Sequence, residues 1–213
     1  MKYIKDTLVL STLESLYQDA SHDFKKMFPL IFKFLFSKLK PKDCQNAYLP
    51  IDKNQGEFLY DYIVSNNSKN IVEFGTSFGI STIYLAAGAR EIGGHVITTE
   101  LVAEKCKVAM SNFHKCNLAE FIKLKQGDAL ETLANYQDEI DLLVLDGWGE
   151  LYLPILKLLE PRLSDGALVY ADNASFPGMR PYMAYVTEKS ENFETKIVKV
   201  KKGKVAVSTY RAQ

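Results

Sequence analysis

The chain has 213 residues, long enough for one hydrophobic core and too short for two large ones. Hydrophobic residues make up 47%, with 12 Phe and 12 Tyr, which excludes a disordered chain. Its 26 basic residues are balanced by 26 acidic ones, so it lacks the basic excess of a dedicated nucleic-acid binder, and none is expected as a partner.

In chain order, the opening "MKYIKDTLVLSTLES" has neither the apolar run nor the small-residue cleavage site of a secretory signal, so a cytoplasmic protein is expected. "FPLIFKFLFSKLK" predicts a helix with Pro29 in its first turn. Lys33, Ser37 and Lys40 form a narrow polar stripe on an otherwise apolar surface. Lys33 interrupts the run, which falls far short of the roughly 20 apolar residues that span a bilayer. Packing against the core or a partner subunit, and hence a homodimer, is expected ahead of a substrate lid or a membrane-surface anchor. Residues 1–50 are accordingly read as an N-terminal helical extension, and 51–213 as the main domain.

From residue 55 the pattern alternates. Helical "QGEFLYDYIV" precedes the strand "NIVEFG", the helix "STIYLAAGARE", the strand "HVITTE" and the helix "VAEKCKVAMSNFHKC". The strand "FIKLKQG", a short helix near "ALETLANY", the strand "IDLLVLD", the helix "ELYLPILKLLE" up to Pro161 and the strand "GALVYAD" follow. The apolar runs 71–74, 142–145 and 167–170 read as strands buried on both faces, as in parallel sheets. Strands alternating with helices predict an α/β doubly wound sheet. "NFETKIVKV", "KKGK" and "VAVSTYR" predict an antiparallel hairpin at one edge.

Cys44, Cys106 and Cys116 show no CxxC spacing and read as buried thiols in a reducing compartment. His22, His95 and His114 form no zinc-binding pair. The chemistry is expected at strand ends instead. In "VEFGTSFGIST", Gly75 and Gly79, with Ser77 between them, let the backbone approach a ligand beside a helix N-terminus, although an ordinary tight turn has the same look. Glu100, 25 residues after Gly75, ends a strand where a carboxylate can accept hydrogen bonds from two ribose hydroxyls. Asp128 can meet an adenine edge or simply cap a helix. Asp146 ends one buried strand and Asp172-Asn173 the next, giving three oxygen donors suited to a hard cation. An Asx turn at Asp172-Asn173 and a helix cap at Asp146 explain the same residues. Trp148, Tyr152, Phe176, Met179 and Tyr182 can wall a flat acceptor or be plain core.

Taken together, "VEFGTSFGISTIYLA" and "VITTE" resemble the first glycine-rich motif and the acidic motif of class I S-adenosylmethionine-dependent methyltransferases, closest to the catechol and caffeoyl-CoA O-methyltransferases. "IDKNQGEFLYDYI" resembles the helix before that motif and "ADNASFPG" the later metal-and-substrate segment; the similarity runs from about residue 50 to 210. The resemblance implies a seven-stranded, mostly parallel, Rossmann-like sheet, and methyl transfer from S-adenosylmethionine to an oxygen of a small, phenolic acceptor, assisted by Mg²⁺ or a similar cation. Glu73, Gly75, Ser77 and Gly79 would line the cofactor's amino-acid end. Glu100 would take the ribose, Asp128 and Ala129 would lie near the adenine, and Asp146 would border both the cofactor and the metal. Asp146, Asp172 and Asn173 match the family's metal ligands in type and order. In that family a lysine three residues after the strand-end aspartate serves as base; here that position is Gly149. Two rivals stay open: a catalytically silent cofactor-binding scaffold, and a nicotinamide-dependent oxidoreductase, although GxGxxG is absent.

Overall fold

Period-two burial along the strands sets the architecture. In β1 (Asn70–Phe74), Ile71 faces one apolar cluster, while Val72 and Phe74 face the other. In β4 (Ile140–Leu145), Leu142 and Val144 oppose Leu143 and Leu145 in the same way. Strands apolar on both faces must be covered twice, and they are. The structure, a computed structural model, describes residues 2–23, 50–201 and 203–213. The predicted helix over 29–40, and Cys44, lie outside the described residues.

The sheet has seven strands in the order β3-β2-β1-β4-β5-β7-β6. Besides β1 and β4 these are β2 (His95–Glu100), β3 (Ile122–Gln126), β5 (Leu163–Ala171), β6 (Phe193–Val200) and β7 (Gly203–Tyr210). The first five in that order pair in parallel; β7 runs antiparallel to β5 and to β6. This is the doubly wound, mostly parallel sheet with a C-terminal hairpin that the sequence predicts. The order reverses between β1 and β4, so a crevice opens at their carboxyl ends, where ligands of such sheets bind.

One face is covered by α1 (Thr7–Asp23), α2 (Lys53–Asn66), α3 (Ile80–Ile92) and α4 (Ala103–Lys115). α1 was not singled out in the sequence. Asp6 starts it, its Oδ1 accepting the N–H groups of Leu8 (2.8 Å) and Val9 (3.3 Å). Val9, Leu13 and Leu16, spaced four and three apart, sink into the core cluster shared by Ile71 and Ile83. The Arg90–Asp6 ion pair at 2.9 Å ties the start of α1 to α3.

The other face is covered by α5 (Ala129–Thr132), α6 (Tyr152–Leu159) and α7 (Arg180–Ala184), with a wide helical turn over Tyr185–Lys189. Three expectations shift. The short helix near "ALETLANY" is a single turn, followed by Leu133 and Tyr136, which are buried in the second core cluster. A tight 3₁₀ turn (Gly149–Leu151) precedes α6, and Pro161 falls within another (Glu160–Arg162) rather than just past the helix. β5 starts at Leu163, before "GALVYAD", and absorbs Gly166 through a register shift opposite Ile140 and Leu142. Cys106 and Cys116 are buried, and burial pushes both thiols up to about 11, as expected of unreactive cysteines. Among the described residues no helix is long and apolar enough to cross a membrane.

Candidate active site

The chain leaves β1 through Gly75 at φ +105°, and a Cβ there would lie 2.6 Å from the Asp146 carbonyl oxygen. Only glycine lets the turn after β1 touch the end of β4 so closely. Gly75 and Thr76 both donate to the Thr99 carbonyl (3.2 and 3.0 Å), which locks the turn onto β2. Ser77 follows with φ +49°, and Gly79 opens α3 with its Cα against the Phe113 ring.

At the end of β2, Glu100 accepts the Ser77 N–H on Oε2 (2.8 Å) and the Val102 N–H on Oε1 (2.9 Å). These bonds fix the carboxylate at the rim of the crevice and leave further lone pairs on both oxygens. Lys105, largely buried, donates to the Ser77 hydroxyl at 3.3 Å and lies over the Phe78 ring. Glu73 sits beneath the turn, fully buried. Its Oε2 accepts the hydroxyls of Thr82 (2.5 Å) and Thr98 (2.6 Å), whereas Oε1 has no hydrogen-bond partner. Burial raises its carboxyl above the usual range, against the pull of the Ser81, Thr82 and Thr98 hydroxyls. This hydroxyl cluster escaped the sequence reading; the small polar residues at the α3 start were its only signal. Asp128, exposed, accepts the Leu130 N–H at 2.8 Å and caps α5, the plainer of its two readings, with Ala129 buried behind it.

Asp146 and Asp172 meet across the ends of β4 and β5, joined by a side-chain hydrogen bond. Burial, followed by the charges of Asp172 and Glu73, pushes the Asp146 carboxyl well above its ordinary value. Burial raises Asp172 as well, opposed by the Asn173 backbone and the Gln55 amide. Asn173, at φ +59°, donates from Nδ2 to Asp172 Oδ2 (3.1 Å). The structure thus brings together the three oxygen-donor residues. Among the described residues no group of three or more His, Cys, Asp or Glu side chains is arranged around a metal position.

Trp148 is half-buried and Phe176 is 61% exposed, so both can meet a ligand. Tyr152, Met179 and Tyr182 have no exposed surface, the plain-core placement that the sequence reading left open beside the acceptor wall. They pack edge-on in the second core cluster, with Tyr152 between Phe74 and Tyr182. The Tyr152 hydroxyl lies under the site, in reach of the Gly147 carbonyl at 3.5 Å and bonded to Asn173. Gly149 has ordinary φ, so a left-handed backbone is not why it is glycine. A Cβ there would lie 3.1 Å from Met179 Sδ, where the turns after β4 and β5 pack together, so Met179 would have to give by a few tenths of an ångström to admit one. A cavity of about 370 Å³, unforeseen in the sequence, lies between the start of α2 and the β6–β7 hairpin, with Gln55, Phe58 and Tyr170 among its lining residues.

A doubly wound sheet with a glycine turn, a strand-end glutamate and a strand-end acidic pair around one crevice has the build of a class I methyltransferase domain. Residues 72–174 match the model of a family described as a methyltransferase domain. It is 29% identical over 133 residues to a catechol O-methyltransferase of Niastella koreensis, covering 59% of this chain and 58% of that one. It is also 29% identical over 126 residues to a catechol O-methyltransferase of Mycobacterium tuberculosis, covering 59% and 57%. The match to caffeoyl-CoA O-methyltransferase 2 of Petunia hybrida is 27% over 131 residues, covering 59% and 54%. The chain thus matches over less than two thirds of the length of these relatives. Among solved structures, it is similar to the O-methyltransferase from Bacillus cereus in complex with SAH, with TM-score 0.77 and 20% identity over 94% of this chain and 91% of that one. It is similar too to an SAH-bound methyltransferase of Podospora anserina, with TM-score 0.74 and 16% identity over 97% and 88%. These two likenesses establish the fold.

Proposed function

We propose that the protein transfers the methyl group of S-adenosylmethionine to an oxygen of a small, phenolic acceptor, with a divalent cation at Asp146, Asp172 and Asn173. The observation that carries this reading is the contact of the Gly75 turn with the end of β4, which puts a cofactor-shaped cradle and an acidic oxygen site on the same crevice. The cradle fits the cofactor. The unpartnered Glu73 Oε1 and the amino end of α3 suit an ammonium and a carboxylate, and Glu100 suits two hydroxyls. The acidic site fits a hard cation in donor type, because two buried carboxylates meet at the strand ends and Asn173 carries an amide oxygen beside them. When bound, such a cation supplies Lewis-acid stabilisation of an ionised acceptor oxygen, whose free phenol has a pKa of about 10.

The chain's own groups do the rest. Glu100 orients the cofactor's ribose from a carboxylate already held by two backbone amides. Asp172 and Asn173 orient the acceptor end, and Trp148 and Phe176 shield it from water. With Gly149 in the lysine's place, no basic side chain stands there to take the acceptor's proton. That one observation also favours a silent cofactor-binding protein, which would bind S-adenosylmethionine and turn over no catechol. Calorimetry on Glu100→Ala tests the cofactor site: a charged hydrogen bond contributes about 1.5–3 kcal/mol, so affinity falls by tenfold or more. Unchanged affinity in a folded variant would sink the assignment. Methyl transfer to catechol that persists in full after chelation would remove the cation from the reading.

A further inference from the structure

Gln55 stands in the first turn of α2, 4% exposed, with its side-chain amide committed on both sides. Its Oε1 accepts the Asp52 N–H (2.9 Å), while its own N–H donates to Asp52 Oδ1 (3.0 Å), completing the capping box of α2. Its Nε2 uses both hydrogens, one on the Tyr170 hydroxyl (3.0 Å) and one on Asp172 Oδ1 (2.9 Å). A reversed amide would set Oε1 against the Asp172 carboxylate and Nε2 against the Asp52 N–H. The helix cap therefore selects the orientation that offers Asp172 a donor. Asp172 is gripped from the other side by Asn173 Nδ2 on Oδ2, so two amides hold its carboxylate while Asp146 faces it. Gln55 and Tyr170 also line the 370 Å³ cavity, so the same amide bridges that space and the acidic site.

We infer that Gln55 is a positioning residue. Resting on the proposed function, it fixes the plane of the Asp172 carboxylate so that Asp172, Asp146 and Asn173 converge on one ligand. Partners that orient a ligating carboxylate typically change metal affinity by about 10–100-fold when removed. The capping residue of α2 thereby serves the site as well as the helix, although 117 residues separate it from Asp172.

The test uses the full chain, Mn²⁺ as probe, and two variants. Gln55→Met removes the amide. Asp52→Ala removes the side-chain cap but leaves the Gln55 amide and the Asp52 N–H in place. By titration calorimetry, Gln55→Met should lower Mn²⁺ affinity about 10–100-fold and leave S-adenosylmethionine affinity unchanged. Asp52→Ala should lower the melting temperature without changing Mn²⁺ affinity. Equal losses of Mn²⁺ affinity in both variants would reduce Gln55 to a helix cap and overturn the inference. So would undiminished affinity in Gln55→Met. If the wild-type protein binds no Mn²⁺, the cation falls from the proposed function, and the crystal structure of Gln55→Met decides the inference alone. An Asp172 carboxylate turned out of its present plane upholds it; an unmoved one overturns it.

Discussion

Asp146 and Asp172 are two acids at one desolvated strand end, and their cost to the fold has a sign that can be measured. The Asp146 carboxyl titrates above its unfolded value. Its favourable contribution is therefore complete below the ordinary carboxylate pKa of about 3.9 and is lost as pH rises through the raised value. Asp146→Asn removes that loss. In chelator, denaturant unfolding should show the variant more stable than wild type near neutral pH, with the gap closing toward pH 4. A gap independent of pH would contradict the raised Asp146 carboxyl. Gly149 offers a second experiment, because a lysine Cβ would meet Met179 Sδ at 3.1 Å. Gly149→Lys alone should lower the melting temperature and gain little turnover of catechol. Gly149→Lys with Met179→Ala should approach the 10²–10⁴-fold typical of a positioned base. Full gain in the single variant would show that Met179 does not guard the position. The strand-end positions of Glu100, Asp146 and Asp172 were legible because apolar runs end where polar residues begin. The burial of Tyr152, Met179 and Tyr182 was not, since an aromatic or Met near a site looks the same whether it faces crevice or core.

Among the elements, α1 shows how much of the fold lies outside the resemblance. Its Val9, Leu13 and Leu16 are buried against α3 and α4, and Leu13 is 3% exposed. Leu13→Ala should cost about 2–5 kcal/mol, read by urea unfolding. A loss below 1 kcal/mol, the scale of a surface substitution, would place α1 outside the cooperative core. The helix was hidden in the sequence because its apolar residues are interleaved with exposed Leu8 and Leu10, which blur the stripe. The β strands were plain, since runs such as "IDLLVL" admit little but a strand buried on both faces. The one-turn α5 and the 3₁₀ turns flanking α6 were not, since local turn geometry follows from tertiary packing more than from propensity.

At the scale of the whole molecule, the reversal of strand order between β1 and β4 makes the crevice a property of topology. The alternating pattern was enough to foresee it. What the pattern could not carry was register: which side of a strand meets which helix, and hence that Gln55 would meet both Tyr170 and Asp172 from far upstream in the chain. Because the cradle is assembled from β1, β2, α3 and the end of β4, a cofactor analogue should stabilise the entire fold. S-adenosylhomocysteine at 100 times its Kd should add about 2.7 kcal/mol, seen as a rise in melting temperature that Glu100→Ala cuts to about half or less at the same concentration. No rise in the wild type would refute the cradle.

The packing of Gly149 on Met179 also constrains descent. For a lineage carrying this pair, a lysine arriving first at 149 needs Met179 to shift by a few tenths of an ångström, whereas an alanine arriving first at 179 leaves a hole in the core that costs about 2–5 kcal/mol. The two positions therefore favour one order of change, a basic side chain at 149 before any shrinking of Met179.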